Sequence, residues 1–352
     1  MRAFVHQGSA SKVIFGSGVI DQAAAAAAEL GCRRVMVLAT RSQEAGAGRL
    51  MQQLGAAGAA VFARAAMHTP VEVTEEAMAI VAGAGVDGLI ALGGGSAIGL
   101  SKAIALRTDL PQVVIPTTYA GSEMTPVIGQ TQGGSKTTQR SPKVLPETVI
   151  YDVDLTLSLP GSVSVTSGFN AMAHAAEALY SRQGNRLLSA IAEECVRVMA
   201  RALPRIEVTP DDPEPRADAL EAAWLGGRCL AEGGSALHHR LCHILGGAFD
   251  LPHAETHTVL LPHVLAYNAA AAPEAIRRLG FALGAEHPAQ RLFDLAQSLG
   301  APASLKAIGM PRDGVDQAIE TLLADPVWNP APLEAKPLKA MLRRAFDGAR
   351  PR

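Results

Sequence analysis

The reading of residues 88–106, GLIALGGGSAIGLSKAIAL, decides the fold. Gly88 to Leu92 form an unbroken apolar run of strand length, three glycines follow, and from Ser96 to Leu106 the apolar residues recur at helical spacing. A buried strand, a glycine turn and a helix in immediate succession is the repeating unit of a parallel α/β sheet. The pattern extends to either side. Residues 34–40 read as a strand, 75–85 as a helix and 113–116 as a further strand, and hairpin signals run from 125 to 152 around Gly133-Gly134. Beyond Leu159-Pro160 the periodicity becomes helical, over 168–181, 185–202, 218–232 and a proline-broken tail from 288 onward. The expectation is an α/β N-terminal dinucleotide-binding domain over residues 1–160 and an all-α C-terminal catalytic domain over 161–352.

Composition bounds the function. The chain has 352 residues, 48% apolar but only 4% aromatic, with 18% charged and a net charge of -2. This is enough apolar material for sizeable cores, which excludes disorder as the main description. A near-neutral balance with interspersed signs argues against a nucleic-acid partner. The alanine run 23–28 is bracketed by Asp21 and Glu29, and no stretch approaches the ~20 apolar residues of a bilayer crossing, so no membrane partner is expected. The first residues lack the apolar core of a signal peptide. The four cysteines (Cys32, Cys195, Cys229, Cys242) form no CxxC pair, as expected of a cytoplasmic protein.

Two loops follow strands. Gly93-Gly94-Gly95-Ser96 opens a helix, where glycines admit an anion close to the backbone and the helix start offers free N–H groups. It reads equally as a tight structural turn, and it is not the GxGxxG fingerprint. Pro116-Thr117-Thr118-Tyr119-Ala120-Gly121-Ser122 is a second polar loop at a strand end, the edge at which open α/β sheets bind ligands. The strand ending at Thr40-Arg41 carries no carboxylate to engage a ribose and repel a 2′-phosphate. Arg41 is either a phosphate ligand or a solvated cation, so both NADH and NADPH stay open.

Ten histidines are present, and six of them (His238, His239, His243, His253, His257, His263) fall in one short window. Asn170 and His174 are four apart, as are His239 and His243, so each pair shares a helix face. Such pairs on facing helices are how a helical domain builds a metal cage. A neutral amide at Asn170 is a poor ligand for a divalent ion, and Glu177, one turn past His174, either compensates or stands behind a ligand. Cys242, among the histidines, is either a ligand or a small buried residue.

These motifs resemble the iron-containing alcohol dehydrogenase superfamily, which shares its fold with dehydroquinate synthase, and within it the maleylacetate reductase branch. The resemblance is carried by residues 4–18 (FVHQGSASKVIFGSG), 67–77 (MHTPVEVTEEA), 93–106, 115–126 (IPTTYAGSEMTP), 144–160, 167–181 (SGFNAMAHAAEALYS) and 237–268 (LHHRLCHILGGAFDLPHAETHTVLLPHVLAYN). Metal-dependent members typically carry GGGSxxDxAK, PTTAGTGSE, an Asp at position 170 and HG at 253–254. Here Gly99, PTTYAGSE, Asn170 and His253-Ala254 stand there, as in the reductase branch. The segment Gly234-Ser235-Ala236 and Arg240 depart even from that branch.

The resemblance implies a dinucleotide, NADH or NADPH, held by Thr40, Gly94, Gly95, Ser96, Thr117, Thr118 and Ser122. It places Asn170, His174, His239 and His253 at the superfamily's metal positions, expected to be unfilled with no metal required, and His243 beside the nicotinamide. The expected reaction is reduction of the C=C bond of maleylacetate to 3-oxoadipate in aromatic-compound catabolism. His243, His253, His174 and His239 are the expected catalytic groups. Asn170, Lys136, Arg240 and Tyr119 are expected at the dicarboxylate substrate, with Arg140 a further cation to consider. A homodimer is expected. The alternatives are a metal-dependent alcohol dehydrogenase acting on a ketone or aldehyde, and a lyase or cyclase of the dehydroquinate-synthase type.

Overall fold

The computed structural model describes residues 8, 11–133 and 135–352, which divide into two compact units. One comprises described residues 11–118 and 122–159. The other comprises Gly8, 119–121 and 160–352.

The first unit is a parallel sheet with helical crossovers. Its strands are β1 (Lys12–Gly16), β2 (Val35–Ala39), β3 (Gly58–Phe62), β4 (Gly88–Gly93), β5 (Gln112–Pro116) and β8 (Thr148–Asp152), in the order β1-β8-β5-β4-β2-β3. Helices α1 (Ala23–Glu29), α2 (Glu44–Leu54), α3 (Val71–Ala84) and α4 (Gly95–Thr108) link them, and β6 (Val127–Gln132) and β7 (Ser135–Arg140) form a separate antiparallel hairpin. Strands β2, β4, β5 and β8 are buried along their whole length, which is why they read as continuous apolar runs instead of alternating ones. The chain runs outward from β2 to β3, then returns to place β4 on the other side of β2, with Ala39 opposite Leu92. That reversal between β2 and β4 is where an open α/β sheet has its crevice. Strands β1 and β3 escaped the sequence reading because they are only partly buried and so lack a continuous apolar run, and β8 joins the main sheet instead of extending the hairpin.

The second unit is helical: α5 (Gly161–Leu179), α6 (Arg186–Val208), α7 (Pro213–Gly233), α8 (Leu237–Phe249), α9 (His253–Asn268), α10 (Pro273–Leu283), α11 (Pro288–Ser298), α12 (Gly314–Ala324) and α13 (Ala335–Asp347). Helix α5 is its axis, buried continuously from Ser164 to Ala178. Its start is rich in Ser, Val, Thr and Gly, weak helix formers whose preference burial overrides, so it begins earlier than propensity indicated. Small residues let the helices close in: a Cβ at Gly226 would lie 2.8 Å from the Ala171 carbonyl, and the Cys195 thiol donates to the Ala222 carbonyl (3.2 Å). Among the described residues, no helix is long and apolar enough to cross a membrane.

The short segment 119–121 is built into this helical unit. Tyr119 is fully buried, its N–H donating to Ser167 Oγ (3.3 Å) and its hydroxyl accepting from Arg216 Nη1 (3.3 Å). Arg216, itself buried, also donates to Ser164 Oγ (2.9 Å) and the Pro210 carbonyl (3.0 Å). Gly121 has φ +79° and passes against α7, where a Cβ would sit 2.8 Å from the Ala223 carbonyl oxygen and 2.9 Å from the Gly227 nitrogen. The obstructing atoms are backbone and cannot rotate away. Gly121→Ala is therefore expected to lower unfolding stability by about 2–3 kcal/mol, the sum of left-handed strain and overpacking. Urea unfolding followed by circular dichroism measures this, and an unchanged midpoint would contradict the packing described.

Candidate active site

Two groups of residues carry chemistry, one in each unit. In the sheet unit, β4 and β5 end side by side with Gly93 opposite Pro116, and the Thr117 N–H donates to the Gly93 carbonyl (3.2 Å). Gly94 caps α4 in an extended conformation, and a Cβ there would lie 2.9 Å from Thr118 Cγ2. No side chain caps the helix, so its first N–H groups and positive dipole end are offered to an anion over the open surface at Gly95. The second loop is pinned from below. The ammonium of buried Lys102 donates to the carbonyls of Ser122 (2.6 Å), Thr125 (2.7 Å) and Val127 (3.0 Å), and Tyr151 donates to buried Glu123 (2.7 Å). Thr40 ends β2, its hydroxyl 2.9 Å from that of Ser42. Beyond it, Arg41 lines a groove of about 560 Å³ with Glu44, Phe62, Arg64 and Ile80. Thr40, Gly94, Gly95, Ser96, Thr117, Thr118 and Ser122 thus lie at the carboxyl ends of β2, β4 and β5 or in the loops that follow.

Gly99, one turn into α4, has a local cause that the sequence did not reveal. A Cβ there would sit 2.2 Å from Thr69 Oγ1, and Thr69 is itself buried in the left-handed region with φ +49°. An aspartate at position 99 has no room while Thr69 stands where it does.

In the helical unit, α5, α8 and α9 bring six imidazoles together. His174 stacks on His239 (ring centroids 5.0 Å), His239 lies 6.5 Å from His243, and His243 stacks on His253 (6.2 Å). All four histidines singled out from the sequence therefore form one connected wall. His238 and His257, which the sequence reading left without a role, complete it. His257 lies 4.4 Å from His253 and 4.8 Å from His238, ring centre to ring centre. The available signal was periodicity: His238 pairs with Cys242, and His253 with His257, at the same four-residue spacing as His239 and His243. His263, although in the same window, packs against Phe293 instead. His174, His238, His239 and His257 are buried, whereas His243 and His253 are partly exposed.

Glu177 organises the wall from inside. Its carboxylate accepts from the backbone N–H of Ala236 (2.8 Å) and of His238 (2.8 Å), and meets His239 Nδ1 at 2.6 Å. Burial pushes its pKa up, but the His239 ring and these N–H groups outweigh burial and hold it below the usual carboxylate range. Burial, reinforced by the neighbouring imidazoles, pushes His174 and His257 well below the ordinary histidine value and His238 down to about 3. These three rings are neutral near pH 7 and keep a lone pair. Asn170 Oδ1, His174 Nδ1 and His239 Nε2 are buried without a hydrogen-bond partner. Each such atom costs ~1–3 kcal/mol if left so, and together they fit a bound cation, with Glu177 behind His239 in the usual carboxylate–histidine–metal order.

The residues expected at the substrate are less uniformly placed. Asn170 is buried one turn before His174 on α5. Tyr119 is corrected: its hydroxyl is engaged by Arg216 in the interior of the helical unit. Arg240 Nη2 pairs with Asp325 at 2.5 Å. The Lys136 side chain lies outside the described residues, and Arg140 is exposed at the end of β7.

The sequence profile of iron-containing alcohol dehydrogenases matches residues 10–153, and that of the C-terminal part of the Fe-containing alcohol dehydrogenase family matches residues 164–346. The chain is 50% identical to a maleylacetate reductase of Rhizobium sp. strain MTP-10005 over the full length of both, and 48% identical to one from Burkholderia cepacia, again over both full lengths. The crystal structure of the Rhizobium enzyme superposes with a TM-score of 0.95 over all of both chains, and a structure titled as a putative alcohol dehydrogenase from Ralstonia eutropha JMP134, 50% identical, superposes with 0.98, also over all of both. These matches overturn the expectation that no metal is required. The family is an iron-containing one, and the unpartnered atoms of Asn170, His174 and His239 are donors for which an ion accounts. The reading from Asn170 weighed a single lost charge against binding and left out the buried donors around it. With residues 10–153 and 164–346 both matched and a 50% identical relative aligned over the full length, the chain belongs to the iron-containing alcohol dehydrogenase family.

Proposed function

We propose that this protein reduces the C=C bond of maleylacetate to 3-oxoadipate, consuming one NADH or NADPH. The observation that carries the reading is the histidine wall: buried neutral imidazoles behind His243 and His253, the two that a substrate can reach. The full-length likeness to maleylacetate reductases supports the same substrate. By that likeness we also propose a cytoplasmic homodimer, with residues 1–160 serving the nucleotide and 161–352 the substrate. The four buried, unbridged cysteines suit a reducing compartment.

The substrate is a diacid whose ketone is conjugated to the double bond. Its reduction needs hydride at the carbon β to the ketone and a proton at the α carbon. The uncapped start of α4, with Gly94, Gly95 and Ser96, would hold the pyrophosphate of a reduced dinucleotide, which would supply the hydride when bound. Asn170, His174, His239 and His253 would hold a divalent ion, which would supply Lewis-acid polarisation of the ketone. His243, the partly exposed imidazole outside that set, delivers the α proton, and His253, stacked on it, completes the polar wall beside the substrate. Glu177 fixes His239 by accepting at Nδ1, which leaves the Nε2 lone pair available to an ion. Arg240 receives a substrate carboxylate: its partner Asp325 is 80% exposed, and such an ion pair opens at little cost, about 0–1 kcal/mol.

Following NAD(P)H oxidation spectrophotometrically tests the reaction. Maleylacetate is expected to be consumed one for one with the nucleotide, with activity lowered by a chelator and restored by Fe²⁺ or Zn²⁺. Comparable turnover of simple ketones, or turnover without net nucleotide oxidation, would instead favour the dehydrogenase or the lyase reading. His243→Ala and His253→Ala are each expected to lower kcat by about 10²–10⁴-fold, and near wild-type rates in both variants would refute their assignment. Glu177→Gln is expected to weaken metal affinity about 10–100-fold, as read by equilibrium dialysis.

A further inference from the structure

We propose that His238, Cys242 and His257 form a transition-metal site of their own, distinct from positions 170, 174, 239 and 253. It is built entirely within the helical unit. His238 and Cys242 are four apart on α8 and so project from one helix face, and His257 comes from α9. The three ligand atoms lie within 4.8 Å of one another. His238 Nε2 is 2.9 Å from His257 Nδ1, and Cys242 Sγ is 3.7 Å from the same His238 nitrogen.

Ordinary bond lengths decide whether an ion fits. With Zn–N of about 2.05 Å and Zn–S of about 2.3 Å, a tetrahedral ion separates its ligands by about 3.4 Å for N···N and about 3.6 Å for N···S. The sulfur is already at that distance from His238, and lies within 4.8 Å of the His257 ligand atom. The two nitrogens share a hydrogen bond that an ion would replace, and need to part by about half an ångström, within reach of small ring rotations. Two imidazoles and a thiolate are borderline-to-soft donors, which select Zn²⁺, Co²⁺ or Fe²⁺ over Mg²⁺ or Ca²⁺. The thiolate also supplies the negative charge that the neutral amide of Asn170 withholds from the neighbouring set. Relative exposures of 0%, 1% and 0% for His238, Cys242 and His257 bury all three donors, so an ion enters as the protein folds and its fourth position falls to a donor beyond these three. An ion here would bridge α8 to α9 behind the wall that presents His243 and His253.

The proposal does not rest on the reductase reading, and its test does not use activity. The full-length protein is produced in medium supplemented with Co²⁺ or Zn²⁺. The cobalt form is expected to show a thiolate-to-metal charge-transfer band in the near ultraviolet, and X-ray absorption of the zinc form a sulfur neighbour at about 2.3 Å. Cys242→Ser is expected to abolish the band, whereas Cys229→Ser, on α7, leaves it intact. A metal-loaded protein with only nitrogen and oxygen neighbours, a protein that takes up no ion, or a band that survives Cys242→Ser overturns the proposal. Should Cys242→Ser fail to fold, the X-ray absorption of the unmodified zinc protein decides alone.

Discussion

The Glu177 carboxylate is wholly enclosed, and the catalytic half of the molecule is arranged around it. Helix α8 has no capping side chain of its own. Its first N–H groups are satisfied instead by a carboxylate from α5, through Ala236 and His238. A negative charge at that end of the helix is favourable for the same reason that anions favour helix starts generally. The same carboxylate grips His239. One side chain therefore fixes where α8 begins, how it sits against α5 and which way the first imidazole of the wall is turned. His243 inherits its place from that anchoring, one turn further along α8.

The metal question turns on a balance of the same kind. Replacing a carboxylate by the Asn170 amide removes one charge that offsets the dehydration of a divalent ion. It leaves behind Asn170 Oδ1, His174 Nδ1 and His239 Nε2, all buried and unpartnered. Imidazoles held neutral by burial do not repel a cation. The remaining donors have no water to return to, so an ion that they coordinate relieves their desolvation as it binds.

The legible part of the sequence was what repeats or clusters. The run 88–106 gave the strand, loop and helix of the sheet unit because full burial makes a strand continuously apolar. The density of histidines located the wall because His239 and His243 share a helix face. What stayed hidden depends on contacts distant in the chain. Tyr119 looked like part of a ligand loop, yet Arg216, 97 residues away, holds its hydroxyl. Arg240 read as an uncommitted cation, but Asp325 lies 85 residues on. His238 and His257 had the right spacing on their own helices, and only the packing of α8 on α9 brings their nitrogens to 2.9 Å.

The close approach of Thr69 to Gly99 makes the two positions interdependent. A side chain at 99 collides with the Thr69 hydroxyl, and Thr69 occupies a backbone conformation that few residues accept. Position 99 therefore cannot be enlarged unless the Thr69 hydroxyl moves or is removed, so substitutions at 69 and 99 are expected to be non-additive. The first turns of α4 and the segment before α3 behave as one unit of design, although thirty residues separate them.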